Sequence, residues 1–290
     1  MQAISFFLVY PFVYLIASLP FRLLYLLSDV FCYLFILSGY RKGVIINNLK
    51  NSFPDKSPKE IQALYKSYIS YLCDIVLETF KTLKMTEKEA RERCVFHNTQ
   101  WLDQYYKDGK SIIIVMGHYG NWEWAGPSFT LNTKFQLVVI YRPLSHKYFE
   151  NMMSKMRTKF GTKITPVKDT LRDMVANRKQ ITATAFIADQ AASPELAYWT
   201  TFMNQDTAVF TGPEKLAKKF NYPVVYMSVK RVRRGYYEIH PELLFENPKD
   251  TAEDEISETF TKRLEKEIIK DPITWLWSHK RWKHIKPGNR

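Results

Sequence analysis

Apolar and polar positions along the chain follow three successive patterns. Residues 4–21, "ISFFLVYPFVYLIASLPF", carry no charge. At a helical rise of about 1.5 Å per residue, such a run approaches the thickness of a bilayer core. It predicts a transmembrane helix, bent or tilted where Pro11 and Pro20 interrupt the backbone hydrogen bonds. A second run, residues 23–40, is broken by Asp29 alone and closes on Arg41 and Lys42, so it is expected to lie flat or to pack on the remainder of the chain. In residues 59–84, Ile61, Leu64, Tyr68, Leu72, Ile75 and Val76 recur at helical spacing behind Pro58, a residue suited to a helix start.

From residue 111 onward the pattern alternates. Strands are expected near 111–116, 135–141, 181–188, 223–230 and 236–245, and helices near 122–130, 147–160, 168–178, 212–220 and 253–270. This alternation predicts an α/β fold with a partly parallel sheet flanked by helices. No repeat, low-complexity tract or Gly/Ser linker divides residues 45–290. The expected organisation is therefore an anchor with its apolar helical segment over residues 1–42 and one catalytic-size domain over 43–290.

Charge adds a preference for acidic partners. The 42 Lys and Arg outnumber the 29 Asp and Glu, giving a formal charge of +13, a field that favours polyanions, anionic membranes or acidic proteins. No basic residue precedes the first apolar run and no small-x-small cleavage site follows it, which disfavours a cleaved signal peptide. Arg22, Arg41, Lys42 and Lys50 follow it instead, so the positive-inside rule places the bulk of the chain in the cytoplasm. Cys32, Cys73 and Cys94 are odd in number and lack a CxxC pair, which indicates neither a disulfide framework nor a zinc site.

The candidate chemistry gathers where strands should end, the usual ligand position in open α/β sheets. In "SIIIVMGHYGNWEW", residues 111–124, an apolar run leads into His118, then Gly120 for a sharp turn, Asn121 as a helix cap, and Glu123. On a continuous helix, residues five apart lie roughly 140° round the axis, but across a turn into a helix His118 and Glu123 can meet. An imidazole oriented by a carboxylate is a general base. The competing reading makes His118 a packed turn residue and Glu123 a complement to the helix dipole.

Arg142 and Arg157 are candidates for phosphate or carboxylate binding, or for solvated surface charge. Asp189, at the end of an apolar strand, requires a cationic or hydroxyl partner. A GxSxG elbow, a GxxxxGK[ST] loop and an HExxH site are all missing, and His279 and His284 fit no metal-ligand pattern. The basic, aromatic segment "WLWSHKRWKHIKPGNR" suits nucleic acid by composition, but beside a membrane segment it is better read as contacting anionic headgroups.

Taken in order, "GHYGNWEW", "YRP" at 141–143, "MRTKFG" at 156–161, "DTLRDMV" at 169–175, "ADQ" at 188–190 and "WLWSHKRWK" at 275–283 resemble the late acyltransferases of lipid A biosynthesis. The HxxxxE pattern marks the wider glycerolipid-type acyltransferases. The resemblance spans essentially the whole chain and implies a glycerolipid-acyltransferase-like mixed sheet behind an N-terminal membrane helix. It implies transfer of a fatty acyl chain from acyl carrier protein to a hydroxyl of a lipid A precursor, at the cytoplasmic face of the inner membrane, with single-pass or peripheral attachment.

His118 is then the base and Glu123 its orienting acid. Arg157 is the preferred oxyanion partner, Arg142 or Asp189 positions the acceptor, and Asn121 belongs to the same substrate-binding set. No cofactor, metal or nucleic acid is implied. The chain departs from the family pattern at Ala191, where an acidic residue is usual, and over residues 202–213, "FMNQDTAVFTGP". Those departures bear on the acceptor, for which a lysophospholipid, glycolipid or aminoacyl lipid is the alternative. Thioester hydrolysis and non-catalytic membrane binding are the competing activities.

Overall fold

A computed structural model describes residues 2–286. The two apolar runs form helices α1 (Gln2–Ser18) and α2 (Phe21–Ser38), separated at Pro20. This corrects the sequence expectation for residues 4–21. Proline ends the first helix at 17 residues, and among the described residues the helix long and apolar enough to cross a bilayer is α2. Pro11 is accommodated inside α1.

Neither helix is free of the rest of the chain. Val13 of α1 is buried against Met152 and Met156. One stripe of α2 is tied to the rest of the chain: Tyr25 donates to Glu78 at 2.8 Å, buried Ser28 donates to Asp74 at 2.7 Å, and exposed Asp29 pairs with Arg234 at 2.7 Å. The remaining surface of both helices exposes Ile4, Phe7, Leu8, Phe12, Leu15, Leu26, Val30, Leu34 and Leu37.

Helix α3 (Lys42–Ser52) leads to α4 (Pro58–Lys81), which begins at a Ser57/Glu60 capping box with Pro58 in its first turn. After α5 (Glu87–Arg93) come β1 (Cys94–Phe96), α6 (Gln100–Lys107), β2 (Ile112–Met116), α7 (Trp122–Asn132), β3 (Gln136–Tyr141), α8 (Lys147–Thr158), β4 (Lys163–Pro166), α9 (Thr170–Ala176) and β5 (Thr182–Ile187). A two-stranded excursion, β6 (Tyr198–Phe202) and β7 (Gln205–Val209), precedes α10 (Gly212–Phe220), β8 (Val224–Arg233), β9 (Tyr236–Phe245) and α11 (Glu255–Lys270).

Seven strands form one mixed sheet in the order β1-β9-β8-β2-β5-β3-β4, antiparallel only between β8 and β9. The central strand β2, "IIIVM", is buried at every position, as expected of a strand covered on both faces. The five strands expected from the sequence are all present. β1 and β4 are too short, at three and four residues, to carry a periodic signal. The β6–β7 hairpin turns through Met203 and Asn204, both at positive φ, where the sequence offers no glycine.

Candidate active site

The site follows from sheet register. β2 and β5 are parallel neighbours with Met116 opposite Ile187, so two residues beyond each strand His118 and Asp189 emerge side by side. Gly120 then turns the chain at φ 59°. A Cβ there would meet the Val229 carbonyl oxygen at 2.0 Å, so glycine is required. Asn121 caps α7, its Oδ1 accepting from the Trp124 N–H at 2.9 Å.

His118 Nδ1 lies 2.6 Å from Asp189 Oδ1. Asp189 Oδ2 accepts from the His118 backbone N–H and from Trp275 Nε1–H, each at 2.8 Å. Burial alone would raise the Asp189 pKa, but the His118 charge, its hydrogen bonds and that of Trp275 outweigh burial and hold it below the usual carboxylate range. The contribution to stability is therefore complete above the unfolded value of about 3.9 and is lost as pH falls through the lowered folded value. An ionised carboxylate only accepts, so the imidazole proton resides on Nδ1 and Nε2 carries the lone pair. Consistently, the Gln190 amide Nε2 stands 3.3 Å from His118 Nε2, in position to donate.

Glu123 is engaged elsewhere. Arg157, in the last turn of α8, grips it with two hydrogen bonds, Nε to Oε2 at 3.1 Å and Nη2 to Oε1 at 2.6 Å. The expected His118–Glu123 contact is thus replaced by two pairs, His118–Asp189 and Glu123–Arg157. The reason is geometric: the first turn of α7 aims Glu123 at α8, while β5 delivers Asp189 beside the histidine. Replacing Glu123 by glutamine leaves the half-buried guanidinium without its anion, a loss of about 2 kcal/mol. Thermal unfolding should show the melting temperature falling by several degrees.

Asn121 is corrected as well. It is completely buried and does not line the cavity: its Nδ2 donates to Glu78 Oε2 at 2.7 Å and its Oδ1 serves the cap, so its side chain is spent on packing the helix start. Arg142 is exposed at the rim of the cavity described below. The C-terminal aromatic segment is also not a surface strip. Trp275 and Trp277 are 2% and 0% exposed, Trp275 supports Asp189, and His279 Nε2 accepts from the Ala191 N–H at 3.2 Å. Burial pushes the His279 imidazole down to about 4, leaving it neutral at physiological pH. The tryptophan at 275 was missed as a site residue. Its signal, an indole N–H within a basic, aromatic segment, has no partner that sequence can identify.

His118, Glu123, Arg142 and Arg157 all face a cavity of about 980 Å³. Its interior is apolar. Ile114, Ala185 and Val139 stand abreast in register on β2, β5 and β3, and Ala125, Gly126 and Phe129 of α7 face the same space. Small residues on both the sheet and the helix open a trough between them, of a size suited to a long apolar ligand.

The mixed sheet, the apolar trough and the oriented histidine at its mouth together are those of an acyltransferase. The family described as bacterial lipid A biosynthesis acyltransferase matches residues 1–284, and the chain belongs to it. The lipid A biosynthesis acyltransferase of Haemophilus influenzae is 20% identical over 235 residues, covering 79% of this chain and 72% of that protein. The lipid A biosynthesis palmitoleoyltransferase of Escherichia coli is 22% identical over 247 residues, covering 84% and 79% respectively.

Proposed function

We propose that this acyltransferase moves a fatty acyl chain from acyl carrier protein to a hydroxyl of a lipid A precursor, with His118 as general base and Asp189 as its orienting acid. The observation that carries the reading is the Nδ1–Asp189 hydrogen bond, which leaves Nε2 as the acceptor facing the cavity. The acceptor hydroxyl gives its proton to Nε2 as its oxygen attacks the thioester carbonyl carbon. The tetrahedral intermediate places negative charge on the former carbonyl oxygen, and Arg157, anchored by Glu123 at the cavity wall, is assigned to meet it. Collapse breaks the carbon–sulfur bond, and the imidazolium returns its proton to the departing thiolate. Glu123 is assigned to holding Arg157. Exposed Arg142 suits an acidic acceptor group at the rim, and the +13 surface suits acidic acyl carrier protein.

The acyl chain is assigned to the trough. Gly126 lies within α7, where glycine is about 1 kcal/mol less favourable than alanine. A Cβ there would meet only Leu137 at 3.9 Å, an ordinary contact. The protein's own packing does not demand glycine at this position, so the space serves what enters the trough. Gly126→Val should shift the transferred chains to shorter lengths, read by mass spectrometry of the acylated product. An unchanged length profile would remove Gly126 from the acyl site.

The membrane reading changes form with the fold. Because α2 is tied along one stripe to Glu78, Asp74 and Arg234, attachment through its other, apolar face and that of α1 is favoured over a span free of the domain. The helix pair over residues 1–42 is thus the anchor, and residues 43–290 work at the inner face of the inner membrane. Replacing Leu26, Val30 and Leu34 by glutamate should move the protein to the soluble fraction, and its retention in washed membranes would contradict this attachment.

A further inference from the structure

At the far edge of the sheet from the acyl trough, β9 carries the short stretch "EIH". Glu238 and His240, two residues apart, project from one face. β1 runs parallel beside it with Phe96 opposite Ile239, and the His97 N–H donates to the Ile239 carbonyl at 2.9 Å, which brings His97 level with His240. The two imidazoles stack, centroids 4.9 Å apart and planes within 4°. Glu238 presents a different oxygen to each, 3.6 Å from His97 Nε2 and 3.1 Å from His240 Nε2.

Other partners for these groups are few. Lys230 stands opposite Glu238 in the β8–β9 register, yet among the described residues Glu238 pairs only with the two histidines. His97 Nε2 is buried and has no hydrogen-bond partner among the described residues, and 3.6 Å to the carboxylate is beyond hydrogen-bond reach. A buried imidazole nitrogen beside a carboxylate and a second imidazole, with no hydrogen-bond partner among the described residues, is placed to ligate a metal ion in its deprotonated form.

We infer that His97, Glu238 and His240 form a binding site for a divalent transition-metal ion, of which Zn²⁺ fits best. Two imidazoles and one carboxylate are a borderline donor set that suits zinc over calcium or magnesium. The ligand atoms already lie within 4.8 Å of one another. An ion held at about 2.0–2.2 Å from each requires neighbouring donors roughly 3.3 Å apart. The two histidine–carboxylate spacings run to different oxygens of Glu238, so ligation requires the carboxylate to turn toward the ion and the stacked imidazoles to converge, by rotation of partly exposed side chains. A fourth position remains for water.

The site's role is to fasten β1. That strand is three residues long and pairs only with β9, yet it backs the active-site helix: Phe96 packs edge-on against Phe129, and Ser128 donates to the Cys94 carbonyl at 2.6 Å. An ion bridging the end of β1 to β9 adds a cross-link to an edge strand held by three register pairs.

The test uses untagged, full-length protein in detergent, stripped by a chelator and then titrated with Co²⁺ by absorption and with Zn²⁺ against a chromophoric chelator. The expected result is one ion per chain at sub-micromolar affinity, a four-coordinate Co²⁺ spectrum, and a melting temperature raised by several degrees at saturation. His97→Ala and His240→Ala should each weaken binding at least about tenfold. Glu238→Gln, which keeps the side-chain volume, should weaken it likewise and serves as the test should an alanine variant not fold. Absence of saturable binding, an octahedral aquo spectrum alone, or binding unchanged in these variants overturns the proposal.

Discussion

Replacing His118 by alanine is expected to lower acyl transfer by about 10³-fold or more, within the range for loss of a general base. The hydroxyl nucleophile is a poor one until its proton is removed, and among the described residues the imidazole nitrogen beside Gln190 is the base that geometry offers at the mouth of the trough. The fold should survive, because Asp189 retains its bonds from the backbone N–H of residue 118 and from Trp275. Losing the His118–Asp189 bond should lower the melting temperature by several degrees, and a cooperative melting curve well above the assay temperature would establish that the loss of activity is chemical. Binding of the proposed donor, acylated acyl carrier protein, should be little changed, so the fall appears in kcat.

Asp189→Asn is expected to be nearly as damaging, about 10²- to 10⁴-fold in kcat. The amide has one oxygen, and the two donors at the Oδ2 position, the His118 N–H and Trp275 Nε1–H, both require it. The amide nitrogen must then face His118 Nδ1. Nδ1 becomes an acceptor, the ring proton moves to Nε2, and the nitrogen facing the cavity can no longer receive a proton. Glu123→Gln leaves that tautomer untouched and should diminish activity less, through a loosened Arg157. If Glu123 were the orienting acid, the order of the two variants would be reversed, which makes the pair a direct comparison between the two assignments.

Much of the frame was legible because it depends on local signals. The alternating apolar runs located the five main strands, and the turn chemistry of Gly120 and Asn121 placed the start of α7. Of the candidate residues, His118, Glu123, Arg142 and Arg157 line one cavity and Asp189 stands beside the histidine, while Asn121 is buried away from it. Their pairing was not legible. A five-residue spacing suggests that His118 and Glu123 belong together, whereas the partners are set by which strand lies beside β2 and which helix end faces α7. Those are facts of register and crossover, and the 71-residue separation of His118 and Asp189 leaves no trace in periodicity. Similarly, Asp29 looked like an interruption of an apolar run, and only the fold supplies Arg234, 205 residues away, that turns it into a tether.

Acylation of a lipid acceptor by a His118–Asp189 base is open to direct measurement. A lipid A precursor would be incubated with acylated acyl carrier protein and the purified full-length enzyme, as wild type and as Asp189→Asn, and the products followed by mass spectrometry. The wild type should yield a product heavier by one acyl chain, formed at least about a hundredfold more slowly by the variant. An unmodified precursor with wild-type enzyme, or equal rates for the two proteins, would contradict this mechanism.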